Sequence, residues 1–191
     1  MKRIIGKAFY IGSLTFVLAL VLIFHVVPLA THFVKFQQLG SFPTDKGCLF
    51  VSNHPHLVWD IILFHIWVRQ QQLGTPVHFL IALPICYCHD LLAFRDFGTQ
   101  IRTLPVVKKG NTTKKIVDIL NSGEHVMAFL TPDNYGTGLA RALKQTGAPC
   151  HATKMDKDNL KSIQIHQIEY DATASAQAIT RQLQDSVNPR T

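Results

Sequence analysis

A chain of 191 residues with 47% hydrophobic side chains has ample material for one buried core plus an appendage. Nineteen Lys and Arg against twelve Asp and Glu give a formal net charge of +7, which fits an anionic membrane surface or a phosphorylated ligand. Nucleic acid is excluded as a partner, because the basic residues form no clustered face with interleaved aromatics.

The apolar excess gathers at the N-terminus. From Ala8 to Val34 there is no Lys, Arg, Asp or Glu, and the centre from Leu14 to Phe24 is almost wholly apolar. About 20 helical residues cross the hydrocarbon layer, so residues 1–35 are expected to form a membrane anchor, ending near Pro28. Lys2, Arg3 and Lys7 before it would hold the N-terminus in the cytoplasm, and Lys35 and Lys46 after it make that positive-inside bias slight; the following domain is expected on the cytoplasmic side. Two alternatives share these residues: a cleaved signal peptide, whose apolar core is usually shorter, and a helix or bent hairpin lying in one leaflet with His25 and Pro28 as interruptions.

Beyond about Gly40 the text changes to short β-rich runs alternating with helical patterns. Strands are expected over Cys48 to Ser52, Val77 to Ala82, Arg102 to Val107, Val126 to Leu130, Pro149 to Thr153 and Ser162 to Tyr170. Helices are expected over Val58 to Gln70, Thr112 to Asn121, Gly138 to Gln145 and Ala174 to Val187, where apolar residues recur at three- and four-residue intervals. Gly123 and Gly147 stand at helix stops. The alternation implies an α/β domain over 36–191, with a mostly parallel central sheet flanked by helices; Ser162 to Tyr170 alternates less regularly, as an edge strand does. Cys48, Cys86, Cys88 and Cys150 lie in or beside apolar runs without a framework spacing, which favours reduced, buried thiols.

The chemistry concentrates in Asn53-His54-Pro55-His56-Leu57-Val58-Trp59-Asp60. A strand delivers two histidines into a loop and the next helix returns a carboxylate. Imidazole changes charge near neutral pH, and a carboxylate beside it raises its basicity, so the pair can take a proton from a hydroxyl. A polar loop beside a strand is the plainer use of the same residues. Downstream, Ile101 to Lys109 ends in two cations, Lys108 and Lys109, which on their own read as a solvated turn before the helix that begins near Thr112. Asp133 and Asn134, in Phe129-Leu130-Thr131-Pro132-Asp133-Asn134-Tyr135-Gly136-Thr137, form a polar loop after another strand, a composition that a turn also uses.

Taken in order, the His/Asp loop, the basic strand end, the Pro-acidic loop and the Gly147-Ala148-Pro149 step resemble the glycerophospholipid acyltransferase family that includes lysophosphatidic acid acyltransferases, over roughly Gly47 to Thr153. The family's first motif is Asn-His, four residues, then Asp; here five residues separate His54 from Asp60 and three separate His56 from it. His54 ranks first because Asn53-His54 keeps the family dipeptide. Lys108 stands where the family has arginine, Asp133 and Asn134 stand for its Glu-Gly, and the arginine that should follow Thr137 is delayed to Arg141.

The resemblance implies an acyl group moved from a thioester, on CoA or on a carrier protein, to the hydroxyl of a lysophospholipid or glycerol-phosphate-type acceptor. His54 or His56 is then the base, Asp60 orients it, and Asn53, Lys108, Lys109, Asp133 and Asn134 contact substrate. No cofactor and no metal is implied; the partners are membrane lipid and the acyl-thioester donor. Two readings compete. A metal site would draw on Cys86-Tyr87-Cys88-His89-Asp90 with His54 and His56, at a spacing unlike that of structural zinc sites. A non-catalytic, membrane-tethered lipid-binding relative would account for the altered motif spacing. His65, His78, His125, His151 and His166 each stand alone in strand or helix patterns and read as packing or surface residues.

Overall fold

The computed structural model of the protein describes residues 35–40, 46–53, 59–71, 74–82, 101–106, 111–130, 136–156 and 162–187, with 59–62, 65, 69, 81, 82, 103 and 105 described by backbone alone. The expected anchor, except for its last residue, lies outside the described residues. Among them no helix is long and apolar enough to cross a membrane.

Among the described residues eleven elements follow in chain order: β1 (Gln37–Leu39), β2 (Leu49–Ser52), α1 (Trp59–Gln70), β3 (Val77–Ala82), β4 (Ile101–Val106), α2 (Asn111–Asn121), β5 (His125–Phe129), α3 (Thr137–Thr146), β6 (Cys150–Met155), β7 (Ser162–Ile168) and α4 (Ala176–Val187). Every strand and helix expected from the sequence is present within two residues at each end. The seven strands form one sheet in the order β1-β7-β6-β2-β5-β3-β4. β2 to β6 all run parallel, whereas β7 is antiparallel to β6 and carries β1 parallel to itself. The mostly parallel α/β sheet is therefore as expected. One correction applies: β7 is not the edge, because the three-residue β1 pairs along it from Ser162 to Gln164.

Successive strand residues point to opposite faces, and the buried residues divide accordingly. Leu49 and Val51 of β2, with Val126 and Ala128 of β5, meet the apolar stripes of α2 (Ile116, Leu120), α3 (Leu139, Ala140, Leu143) and α4 (Ile179, Leu183, Val187). Cys48 and Phe50 of β2, with Met127 of β5 and Phe79 of β3, meet α1 through Phe64, Trp67 and Val68 on the other face. A central strand buried on both faces has no room for alternation, which is why Leu49–Ser52 reads as a continuous apolar run. Trp67 also donates its indole N–H to Gln38 of β1 at 3.0 Å, tying α1 to the sheet edge.

Helix ends are fixed by local chemistry. The Ser175 hydroxyl accepts the Ala178 N–H at 3.1 Å, so α4 starts after this cap and not at Ala174. Gly147 adopts φ +61° and its N–H bonds the Leu143 carbonyl at 2.8 Å, the left-handed stop that a residue without Cβ takes at no steric cost.

Gly47 is needed for a different reason. A Cβ there would sit 2.5 Å from the Leu120 carbonyl oxygen and 2.7 Å from that of Glu124, backbone atoms of the last turn of α2 and of the link to β5. Gly47→Ala is expected to destabilise the fold by about 2–3 kcal/mol, as a forced backbone shift does in a packed interior. Urea unfolding is the measurement, and a loss under ~0.5 kcal/mol would show that this contact yields freely.

Candidate functional site

Because β2 to β6 share one direction, their carboxyl ends share one edge of the sheet. The segment carrying His54 and His56 follows β2, that carrying Lys108 and Lys109 follows β4, and that carrying Asp133 and Asn134 follows β5. β2 and β5 are direct neighbours, and the Leu130 N–H closes their ends by bonding the Ser52 carbonyl at 2.8 Å. β4 is three strands from β2, roughly 14 Å at the usual ~4.8 Å spacing.

The chain also reverses its winding here. From β2 it crosses through α1 to β3 on one side, and from β5 it crosses through α3 to β6 on the other side of β2. Connections that leave neighbouring strands in opposite directions open a crevice beyond their carboxyl ends, where open α/β sheets bind ligands. His54, His56, Lys108, Lys109, Asp133 and Asn134 themselves lie outside the described residues. Asp60 is the second residue of α1, described by its backbone alone.

Asn53 is the one expected site residue whose side chain is described. It is buried, and both ends of its amide are engaged: Nδ2–H donates to the Met155 carbonyl at 2.9 Å, and Oδ1 accepts the Met155 N–H at 2.9 Å. Two hydroxyls lace the same strand ends. Ser52 donates to the Thr153 carbonyl at 2.7 Å, and Thr153 donates to the Val51 carbonyl at 3.3 Å.

The opposite, amino edge holds polar chemistry that single-residue reading missed. His78 of β3 meets the Glu124 carboxylate at 2.6 Å, and Arg102 of β4 lies 3.6 Å from its other oxygen. His125 of β5 and His151 of β6 flank Phe50 of β2, each ring centroid 5.7 Å from the phenyl. The Cys48 N–H donates to His125 Nδ1 at 3.2 Å, so a neutral ring carries its proton on Nε2. Burial, reinforced by His151, pushes the His125 pKa down to about 4; burial and then His166 push His151 down too. These histidines therefore stand together in space, though not in sequence.

Cys48 and Cys150 are buried thiols, as expected of structural cysteines; the Cys48 thiol donates to the Lys46 carbonyl at 3.2 Å, and burial pushes the Cys150 thiol far up, where it is inert as a nucleophile. Cys86 and Cys88 lie outside the described residues. Among the described residues no group of three His, Cys, Asp or Glu side chains is placed to hold a metal ion. An open depression of about 410 Å³, lined by Gly147, Pro149, Gln167 and Tyr170, lies at the amino end of β6, away from the carboxyl edge.

A scan against protein-family models and a search of the curated proteins each returned no match.

Proposed function

We propose that this chain is a membrane-associated O-acyltransferase whose site lies at the carboxyl edge between β2 and β5. What carries the reading is one arrangement: the His54 segment and the Asp133–Asn134 segment leave adjacent parallel strands at the point where the crossovers diverge. The motif order of the sequence supports it, since the segments that resemble the acyltransferase motifs are those that follow β2, β4 and β5.

In this reaction His54 takes the proton of the acceptor hydroxyl while its oxygen attacks the thioester carbonyl; the C–O bond forms, the C–S bond breaks, and the proton passes to the departing thiolate. Asp60 orients the imidazole, and Lys108 and Lys109 neutralise the acceptor phosphate. The N-terminal apolar segment holds the domain against the membrane that supplies the acceptor, on the cytoplasmic side. The donor is an acyl-CoA or an acyl-carrier protein.

The test is transfer of labelled acyl groups from CoA to lysophosphatidate by the detergent-solubilised full chain. His54→Ala is expected to lower turnover by about 10²–10⁴-fold, the range of a lost general base, while His56→Ala stays within a few-fold. Equal turnover by wild type and both variants would end the acyltransfer reading. A wild type that binds lysophospholipid vesicles without transferring acyl groups would instead identify a lipid-binding relative.

A further inference from the structure

We propose that Asn53 is a positioning residue for the carboxyl-edge site and contacts no substrate, because its amide stands in for the missing next residue of the β2–β6 ladder. The inference rests on the acyltransferase reading for its catalytic consequence, but not for its structural one.

Asp156 donates its N–H to the Ser162 carbonyl at 3.0 Å, so this pair is hydrogen-bonded across β6 and β7. Antiparallel pairs alternate, and the N–H and C=O of the preceding Met155 therefore face away from β7, toward β2. There β2 has already ended, its last registered pair being Ser52 with Thr153. A buried peptide group without partners is costly, and a carboxamide offers the same donor and acceptor side by side as a peptide does.

The two 2.9 Å bonds to Met155 place both ends of the Asn53 amide on this task. Each end keeps one further N–H or lone pair, but the two bonds fix the orientation of an amide that is itself buried. The backbone of Asn53 is thereby held to β6 at the position where the chain departs toward His54. Together with Ser52 and Thr153, it makes the start of the histidine segment part of the sheet.

The experiment pairs two measurements on the full-length protein in detergent. In Asn53→Ala, hydrogen exchange at the Met155 amide is expected to accelerate by at least about tenfold, because the protecting acceptor is gone. In the acyl-transfer assay kcat should fall by about 10–100-fold, as for a displaced reacting group, with the acceptor KM within about twofold of wild type. Asn53→Asp keeps an acceptor for the Met155 N–H and should recover part of both. Ser122→Ala, which loses a hydroxyl link to the Ile119 carbonyl away from this edge, should leave kcat within about threefold.

A raised KM at unchanged kcat in Asn53→Ala would make Asn53 a substrate ligand and overturn the proposal, as would unchanged exchange at Met155. If the wild-type chain transfers no acyl group, the acyltransferase reading falls by itself. Exchange across residues 53–60 then decides positioning alone: acceleration in Asn53→Ala upholds it and wild-type rates overturn it.

Discussion

Between pH 6.5 and about 4 the protein is expected to lose on the order of 3 kcal/mol of folding stability through one side chain, His125. The ring is fully buried at the start of β5, and its Nδ1 already accepts the Cys48 N–H. Protonation would place a charge in an apolar layer and turn that acceptor into a donor facing a donor. Folded His125 therefore stays neutral down to about pH 4, whereas in the unfolded chain the imidazole takes a proton near 6.5.

The unfolded state thus binds more protons throughout this window. The contribution of His125 is complete above pH 6.5, declines as pH falls, and is exhausted near pH 4. Carboxylates titrate at the lower end, so the readout is the difference between two proteins. Urea unfolding at pH 7 and at pH 4.5 should show a steeper loss for wild type than for His125→Asn, whose Oδ1 keeps an acceptor for Cys48 without taking a proton. Equal losses in the two would mean that His125 does not govern the acid limb. A His166→Asn control, at an exposed position, should stay close to wild type.

The second large effect belongs to Phe50, the residue between the two buried imidazoles. Phe50→Ala is expected to cost about 3–5 kcal/mol, because the phenyl is fully buried on the central strand, where the sheet cannot collapse to fill the space. Phe50→Leu should cost much less. Water entering the cavity would also solvate His125 and return its pKa toward the ordinary value, so acid sensitivity should shrink in Phe50→Ala. Combined with His125→Asn, the losses should be less than additive by 0.5 kcal/mol or more, as for residues sharing one packing site. Full additivity in urea unfolding would show that the rings act independently.

The sheet was legible because strands buried on both faces announce themselves as unbroken apolar runs. Leu49–Val51 and Val126–Ala128 are of this kind, and the helices of the domain carry stripes at three- and four-residue intervals. β1 was not legible. Gln37-Gln38-Leu39 has no apolar run or alternation, and it is a strand because β7 presents an unpaired edge and Trp67 an indole N–H to Gln38.

His125 and His151 are the packing residues the sequence indicates, but their grouping was not legible, for a related reason. His125 and His151 lie 26 positions apart and become neighbours of one phenyl ring only through the order β6-β2-β5, which composition and periodicity do not encode. For Asn53 the resemblance implies a substrate contact, and its pairing with Met155 was not legible, since nothing in the sequence tells where β2 stops relative to β6. At the candidate site the sequence supplied the residue types, and the parallel sheet supplies what it lacked: a common edge for the segments that carry them.

The strand order carries a consequence for synthesis. β2 sits at the centre of the sheet, yet its two neighbours are β5 and β6, so Leu49–Ser52 leaves the ribosome with neither partner made. At about 5–20 residues per second, the roughly 75–100 residues that intervene take on the order of 5–20 seconds. Throughout that interval a strand of four fully buried residues is a sticky nascent segment with two open sides, a substrate for holdase chaperones until the second half of the polypeptide arrives to enclose it.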